Sequence, residues 1–130
     1  MLSSKASRIL VVDDLADNAL LLQILLEAEG YTVDTANSGS SALRKIEGFP
    51  PDLVLLDVMM PDMDGYEVAR KIRGNSNLPH IPIVLVTAYG EMPREVDLEA
   101  AADDLIHKPI DLDQLIERVK NFTSPKSAKS

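Results

Sequence analysis

The chain has 130 residues, of which 45% are apolar and 26% charged; it contains no cysteine, and its formal net charge is −8. This length fits one compact domain, and the lack of cysteine excludes disulfides and cysteine-ligated zinc. It also fits a reducing cytoplasm, where we expect the protein to act. The acidic balance argues against direct nucleic-acid binding, which needs a basic face. The sequence contains no apolar stretch long enough to span a membrane, and its first residues do not resemble a signal peptide.

Short apolar runs alternate with helical patterns along the chain, which indicates strands and helices in turn. The runs predict strands at about 8–13, 31–36, 52–57, 83–87 and 104–107. The segments between and after them predict helices at about 17–29, 39–48, 64–74 and 111–122, and a less regular helix after 87, where Pro93 fits only the first turn. This order predicts an α/β class with a doubly wound, five-stranded parallel sheet. We expect one domain over 1–123 and a flexible polar tail over 124–130.

Residues suited to phosphoryl chemistry follow four of the predicted strands. Asp13 and Asp14 end the first run, Asp57 ends the third, Thr87 ends the fourth, and Lys108 follows the fifth. In an open α/β sheet, ligands bind at the carboxyl ends of the strands. We therefore expect these five side chains to converge at one end of the sheet.

The chemistry of that cluster can be argued from its residue types. Three neighbouring carboxylates repel one another unless a cation lies among them, and hard oxygen ligands favour Mg²⁺, with Mn²⁺ as an alternative, over zinc. A carboxylate can also accept a phosphoryl group as a nucleophile, with Lys108 and Thr87 as donors to its oxygens. Each residue alone has an ordinary explanation, such as a turn, a strand end or a surface lysine. Their joint occurrence favours a site.

The four stretches VVDD at 11–14, DVMMPDMDG at 57–65, VTA at 86–88 and KP at 108–109 together resemble a receiver domain of bacterial two-component response regulators. The resemblance extends from about Arg8 to Phe122. It is closest in kind to the stand-alone, chemotaxis-regulator-like type. It implies a flavodoxin-like (βα)5 fold with strand order 2-1-3-4-5.

The resemblance also implies a role for each site residue. Asp57 becomes the phosphoacceptor and a metal ligand, Asp14 a direct Mg²⁺ ligand, and Asp13 a ligand that acts through water or through its neighbours. The backbone carbonyl of Met59 supplies a further metal ligand. Thr87 and Lys108 complete the set of residues expected to carry the reaction, as the switch hydroxyl and the cation that pairs with phosphate. The Lys108–Pro109 bond is expected to be cis.

The implied function is signal relay rather than enzymatic turnover. A histidine kinase or a histidine phosphotransfer protein would donate the phosphoryl group, and a downstream protein would respond to the changed conformation. We expect no direct nucleic-acid binding, no membrane partner, and a monomer or weak dimer. A receiver-fold binding module that is not phosphorylated is the alternative. An aspartyl-phosphate hydrolase is disfavoured because Met59 stands where a second carboxylate would be needed. We expect a stand-alone receiver, although a segment of a longer regulator would look the same.

Two further features bear on signalling. Leu105 stands where many receivers carry Tyr or Phe, which puts the usual coupling between threonine and aromatic ring in question. On the first helix, the spacing predicts a buried stripe of Leu21, Leu22, Leu25 and Leu26. The same spacing leaves Leu20 and Ile24 on the outer side, where they could contact the donor protein.

Overall fold

The computed structural model describes residues 7–87 and 102–123. The predicted helix with Pro93 and the predicted tail at 124–130 lie outside the described residues. The elements are β1 (Arg8–Val12), α1 (Ala16–Ala28), β2 (Thr32–Ala36), α2 (Gly39–Gly48), β3 (Leu53–Asp57), α3 (Gly65–Arg73), β4 (Ile83–Thr87), β5 (Asp104–His107) and α4 (Leu112–Thr123). These bounds lie within a residue or so of the predicted ones.

The five strands form one parallel sheet in the order β2-β1-β3-β4-β5, which confirms the predicted fold class and strand order. β3 and β4 are buried along their whole length, as central strands of a sheet covered on both faces should be. The register pairs Val12 with Leu56 and Asp57 with Val86, so these strands end at nearly the same level. Residues that follow them therefore meet at one end of the sheet.

Alternate residues of each central strand pack into two separate cores. Leu10, Val12 and Leu56 face α2 and α3, whereas Ile9, Val11 and Leu55 face α1 and α4. This period of two is what places helices on both faces of the sheet. None of the helices within 7–87 and 102–123 combines the length and apolar character needed to cross a bilayer.

The first helix differs from the predicted buried stripe at Leu21, which is exposed, and at Leu25, which is only half-buried. Leu22 and Leu26 are buried as predicted, and Leu20 and Ile24 are exposed by 52% and 56%, also as predicted. Leu21 was expected to be buried, and that prediction is wrong, because its side chain is 53% exposed. Apolar residues nearly surround α1, so their spacing alone does not identify the stripe that packs on the sheet.

Candidate functional site

The predicted site residues do meet at the carboxyl end of the sheet. Asp13 is 4% exposed, Asp57 is 5% exposed, and Thr87 is fully buried. The side chains of Asp13, Asp14 and Asp57 each offer a carboxylate oxygen, and these oxygens lie within 4.8 Å of one another. Three like charges at this separation, with little water around two of them, form a strongly negative pocket.

Asp57 is the most constrained member of the cluster. Its Oδ1 lies 3.3 Å from Lys108 Nζ, which makes an ion pair. Within the described part of the chain, however, this buried oxygen accepts no well-directed hydrogen bond. Burial raises the pKa of Asp57 and is the largest effect. The Lys108 ammonium lowers this pKa, and the Asp13 and Asp14 carboxylates raise it. Asp57 is thus a buried carboxylate whose charge is only partly compensated.

Asp13 has a structural role besides its place in the cluster. Its Oδ1 accepts a hydrogen bond of 2.9 Å from the backbone N–H of Leu15, which turns the chain from β1 into α1. Asp13 therefore has two roles: it forms the turn before α1, and it belongs to the carboxylate cluster. Asp14, half-buried, follows in the same turn.

Thr87 and Lys108 are brought together by the pairing of β4 with β5. The backbone N–H of Lys108 donates to the carbonyl of Thr87 over 2.7 Å, directly after the Thr87–His107 pair of the ladder. The Lys108–Pro109 bond is cis, as predicted. The hydroxyl oxygen of Thr87 is fully buried and finds no hydrogen-bond partner among residues 7–87 and 102–123.

The loop after β3 is held tightly against Asp57. A Cβ at Gly65 would come within 2.6 Å of the Asp57 carbonyl oxygen, so only glycine permits this approach of α3. Asp64 caps α3 by accepting from the Glu67 N–H over 2.9 Å, as is typical of a short carboxylate directly before a helix. Met59 lies in this loop with its side chain 54% exposed.

Asp62, in the same loop, makes a contact that the sequence did not reveal. Its carboxylate accepts from the N–H of Gly39 over 3.3 Å and from the Ser40 hydroxyl over 3.4 Å. The hydrogen bond from Gly39 is the main reason why the pKa of Asp62 is lowered. The loop next to Asp57 is therefore connected to the first turn of α2. No local sequence signal could show this contact, since its partners are more than twenty residues apart.

The donor set fits a magnesium ion. It consists of three carboxylates with hard oxygen atoms, and one of them, Asp57, has a buried oxygen without a well-directed hydrogen bond among the described residues. A cation among them would remove the repulsion that raises the pKa of Asp57. Asp13, Asp14 and Asp57 are thus the residues that could hold it.

Leu105 packs, half-buried, against the core on the α2 and α3 face of the sheet. It pairs with Leu85 in the ladder between β4 and β5. The position where the resemblance leads us to expect an aromatic ring is therefore occupied by an aliphatic side chain that packs against the core.

The chain belongs to a known family of signalling domains. The model of the family described as "Response regulator receiver domain" matches residues 9–120. The response regulator PleD of Caulobacter vibrioides is 47% identical over 119 residues, which cover 91% of this chain and 26% of PleD. The transcriptional regulatory protein CpxR homolog of Haemophilus influenzae is 46% identical over 116 residues, which cover 88% of this chain and 49% of that protein. The chain thus spans about a quarter to a half of these relatives.

A solved structure supports the same assignment at the level of the fold. The response regulator TrrA from Thermotoga maritima, determined in complex with Mg²⁺ and BeF, is 40% identical with a TM-score of 0.81. The similarity covers 89% of this chain and 98% of that one. The predicted family is confirmed, and the chain is a receiver domain of the response regulators.

Proposed function

We propose that this receiver domain accepts a phosphoryl group on Asp57 in a Mg²⁺-dependent reaction and relays the signal through a change of conformation. The observation that supports this most directly is the state of Asp57 itself. It is a buried carboxylate, 3.3 Å from Lys108 and within 4.8 Å of two further carboxylates, with unused hydrogen-bonding capacity. Such a group is suited to receive a tetrahedral, strongly hydrogen-bonding substituent.

Each residue has a part in the proposed transfer. Asp57 attacks phosphorus, Lys108 compensates the negative charge of the transferred oxygens, and the Thr87 hydroxyl is available as a donor to one of them. Mg²⁺, held by Asp13, Asp14, Asp57 and the Met59 carbonyl, would supply further compensation of charge. When Thr87 donates to the phosphoryl group, the end of β4 changes position, which would give the two states that a partner can distinguish.

The competing function is a binding module that is never phosphorylated. The two are separated by measuring the mass of the intact protein after treatment with acetyl phosphate and Mg²⁺. We expect one phosphoryl group per chain, lost at the pH values that hydrolyse acyl phosphates, and none in the Asp57→Asn variant. Acid-stable labelling, or equal labelling of Asp57→Asn, would contradict the proposal.

The proposed donor is a phosphohistidine protein, and the outer side of α1 is the surface we assign to it. Leu20 and Ile24 lie four residues apart and are both more than half exposed, beside the turn that carries Asp13 and Asp14. Changing Leu20→Lys and Ile24→Lys together should slow transfer from a histidine phosphotransfer protein about tenfold or more, which corresponds to about 1.4 kcal/mol. Labelling by acetyl phosphate should persist. Equal loss with both donors would point to misfolding.

We propose a monomer or weak dimer as the working form. Arg118 of α4, which could pair across a dimer interface, instead contacts Asp104 of the same chain over 2.7 Å. Light scattering before and after treatment with beryllofluoride tests this, and a tight dimer in either state would contradict it.

One of the relatives is a transcriptional regulatory protein about twice as long as this chain, so the comparisons do not support the predicted lack of nucleic-acid binding. That expectation and the cytoplasmic location stay predictions.

A further inference from the structure

An apolar cavity opens directly beside the phosphoacceptor. It has a volume of about 310 Å³ and lies between α1, the sheet and the segment that joins β5 to α4. Its apolar wall consists mainly of Val11, Leu21, Leu22, Leu55, Ile110 and Leu112. Asp13, Asp57 and Lys108 also line it, so one continuous space joins a reactive carboxylate to an aliphatic surface.

This combination is more than phosphoryl transfer by itself requires. A phosphoryl group is polar on all sides and needs only Lys108, a metal and hydrogen-bond donors. The aliphatic wall instead favours a ligand that carries an apolar group next to its phosphoryl group, because burying apolar surface is favourable. The volume suits a short aliphatic chain and is too small for a helix.

We propose that this cavity binds the acyl group of a small acyl phosphate, and that Asp57 reacts faster with butyryl phosphate than with acetyl phosphate. This inference rests on the proposed function, since it names the class of small-molecule donor for the same site. Leu21 is the wall residue best suited to a test, because it lines the cavity and is 53% exposed, whereas Leu22 and Leu55 are buried in the core.

The reaction is balanced without a further reactant. The bond between phosphorus and the acyl oxygen breaks, and a bond forms between phosphorus and a carboxylate oxygen of Asp57. The acyl group leaves as an aliphatic carboxylate that keeps the electron pair of the broken bond.

The first test compares rates of Asp57 labelling by acetyl, propionyl and butyryl phosphate at one Mg²⁺ concentration. The rates are corrected for the hydrolysis of each donor in buffer. Full burial of one methylene group is worth about fourfold, and partial burial of two should make butyryl phosphate about fivefold faster than acetyl phosphate. Leu21→Asn should bring this ratio close to one. Leu21→Met, which keeps an apolar side chain of similar size, should preserve it.

A second measurement does not depend on the reaction. Calorimetric titration with butylphosphonate and methylphosphonate in the presence of Mg²⁺ should show tighter binding of the butyl compound by the parent. The two compounds should bind equally to Leu21→Asn. Because Leu21 is largely exposed, its replacement is not expected to affect folding, and the melting temperature checks this.

Three results would overturn the inference. One is labelling of Asp57 at rates that do not depend on the acyl chain, and another is an unchanged ratio in Leu21→Asn. The third is a defect of Leu21→Asn confined to the phosphohistidine donor, which would assign the cavity to a side chain of that protein. A failure of every donor to label Asp57 would instead contradict the proposed function itself.

Discussion

The two ends of the sheet differ in how completely their charged groups are paired. At the amino ends of the strands, the charged side chains of Arg73 and Asp103 have well-matched partners. Asp103 accepts from Arg73 over 2.6 Å and from the Ile83 N–H over 2.8 Å, while Arg73 also donates to the Ile81 carbonyl over 2.7 Å. At the carboxyl ends, three carboxylates share the space beside Lys108, and two buried oxygens have no hydrogen-bond partner among the described residues.

Arg8 shows the same satisfied pattern on the other half of the sheet. Its backbone N–H donates to Asp52 over 2.7 Å, and its guanidinium donates to the Pro50 carbonyl and lies 3.6 Å from the centre of the Phe49 ring. The amino end therefore holds the strands and loops together. At the carboxyl end, like charges lie close together at a cost in stability, which agrees with the reaction that we propose for Asp57. The following predictions test this contrast.

The largest effect should come from Lys108. Replacing Lys108→Ala removes the cation 3.3 Å from Asp57 Oδ1 and should slow labelling by acetyl phosphate about a hundredfold, or about 2.7 kcal/mol of barrier. Binding of Mg²⁺, measured by calorimetry, should persist because the three carboxylates remain. Lys45→Ala, at an exposed ion pair with Asp34, is the control and should label at the parental rate. Parental labelling of Lys108→Ala would mean that this lysine does not act in the transfer.

The next largest effect, a loss of stability, is expected at the amino end of the sheet. Asp103→Ala should lower the free energy of unfolding by about 2 kcal/mol, because it leaves the Arg73 guanidinium and the Ile83 N–H without their carboxylate. Urea denaturation measures this loss. Affinity for Mg²⁺ should not change, since the two ends of the sheet are separate. A weakened Mg²⁺ site in a folded variant would show that the ends are coupled.

A smaller effect on stability, of opposite sign, is expected from Asp57. Asp57→Asn should raise the free energy of unfolding by about 1 kcal/mol at neutral pH without Mg²⁺, because it removes a buried, poorly compensated charge. The folded state raises the pKa of Asp57 above its unfolded value, so the parent's penalty is complete above the folded pKa. The penalty disappears as the pH falls below the unfolded pKa. The difference between the two proteins should shrink accordingly on acidification.

The effect of Mg²⁺ on stability gives a second comparison of the parent with Asp57→Asn. It should stabilise the parent by mass action and have a weaker effect on Asp57→Asn, which lacks one of the three carboxylates. Thermal denaturation with increasing Mg²⁺ measures both. If Asp57→Asn is no more stable than the parent in the absence of Mg²⁺, the buried charge of Asp57 does not lower the stability of the parent.

The smallest effect should come from an exposed pair outside both networks. Lys45 and Asp34 lie 3.2 Å apart with about half of each side chain exposed, and such pairs contribute little. Asp34→Ala should change the free energy of unfolding by less than about 0.5 kcal/mol. A loss as large as that of Asp103→Ala would remove the basis for treating the amino end as special.

Much of this molecule could be predicted from the sequence alone. The alternation of apolar runs with helical patterns specifies five parallel strands, because strand and helix periods are local properties. The residues that end those strands, Asp13, Asp57 and Thr87, could be placed together because parallel strands end at the same side of a sheet. The cap at Asp64 and the match to the receiver family were likewise readable from short stretches.

Only the tertiary structure decided how the elements face one another. The exposure of Leu21, the cavity beside Asp57 and the contact of Asp62 with α2 depend on the rotation and approach of helices that are distant in sequence. The same is true of the Asp103 network and of the buried oxygens of Asp57 and Thr87 that have no hydrogen-bond partner among the described residues. The local sequence shows which side chains are apolar or charged, but it does not show which of them contact one another. Packing between elements determines which of them find a partner. Here that difference separates the end of the sheet where charges are paired from the end where we propose that Asp57 reacts.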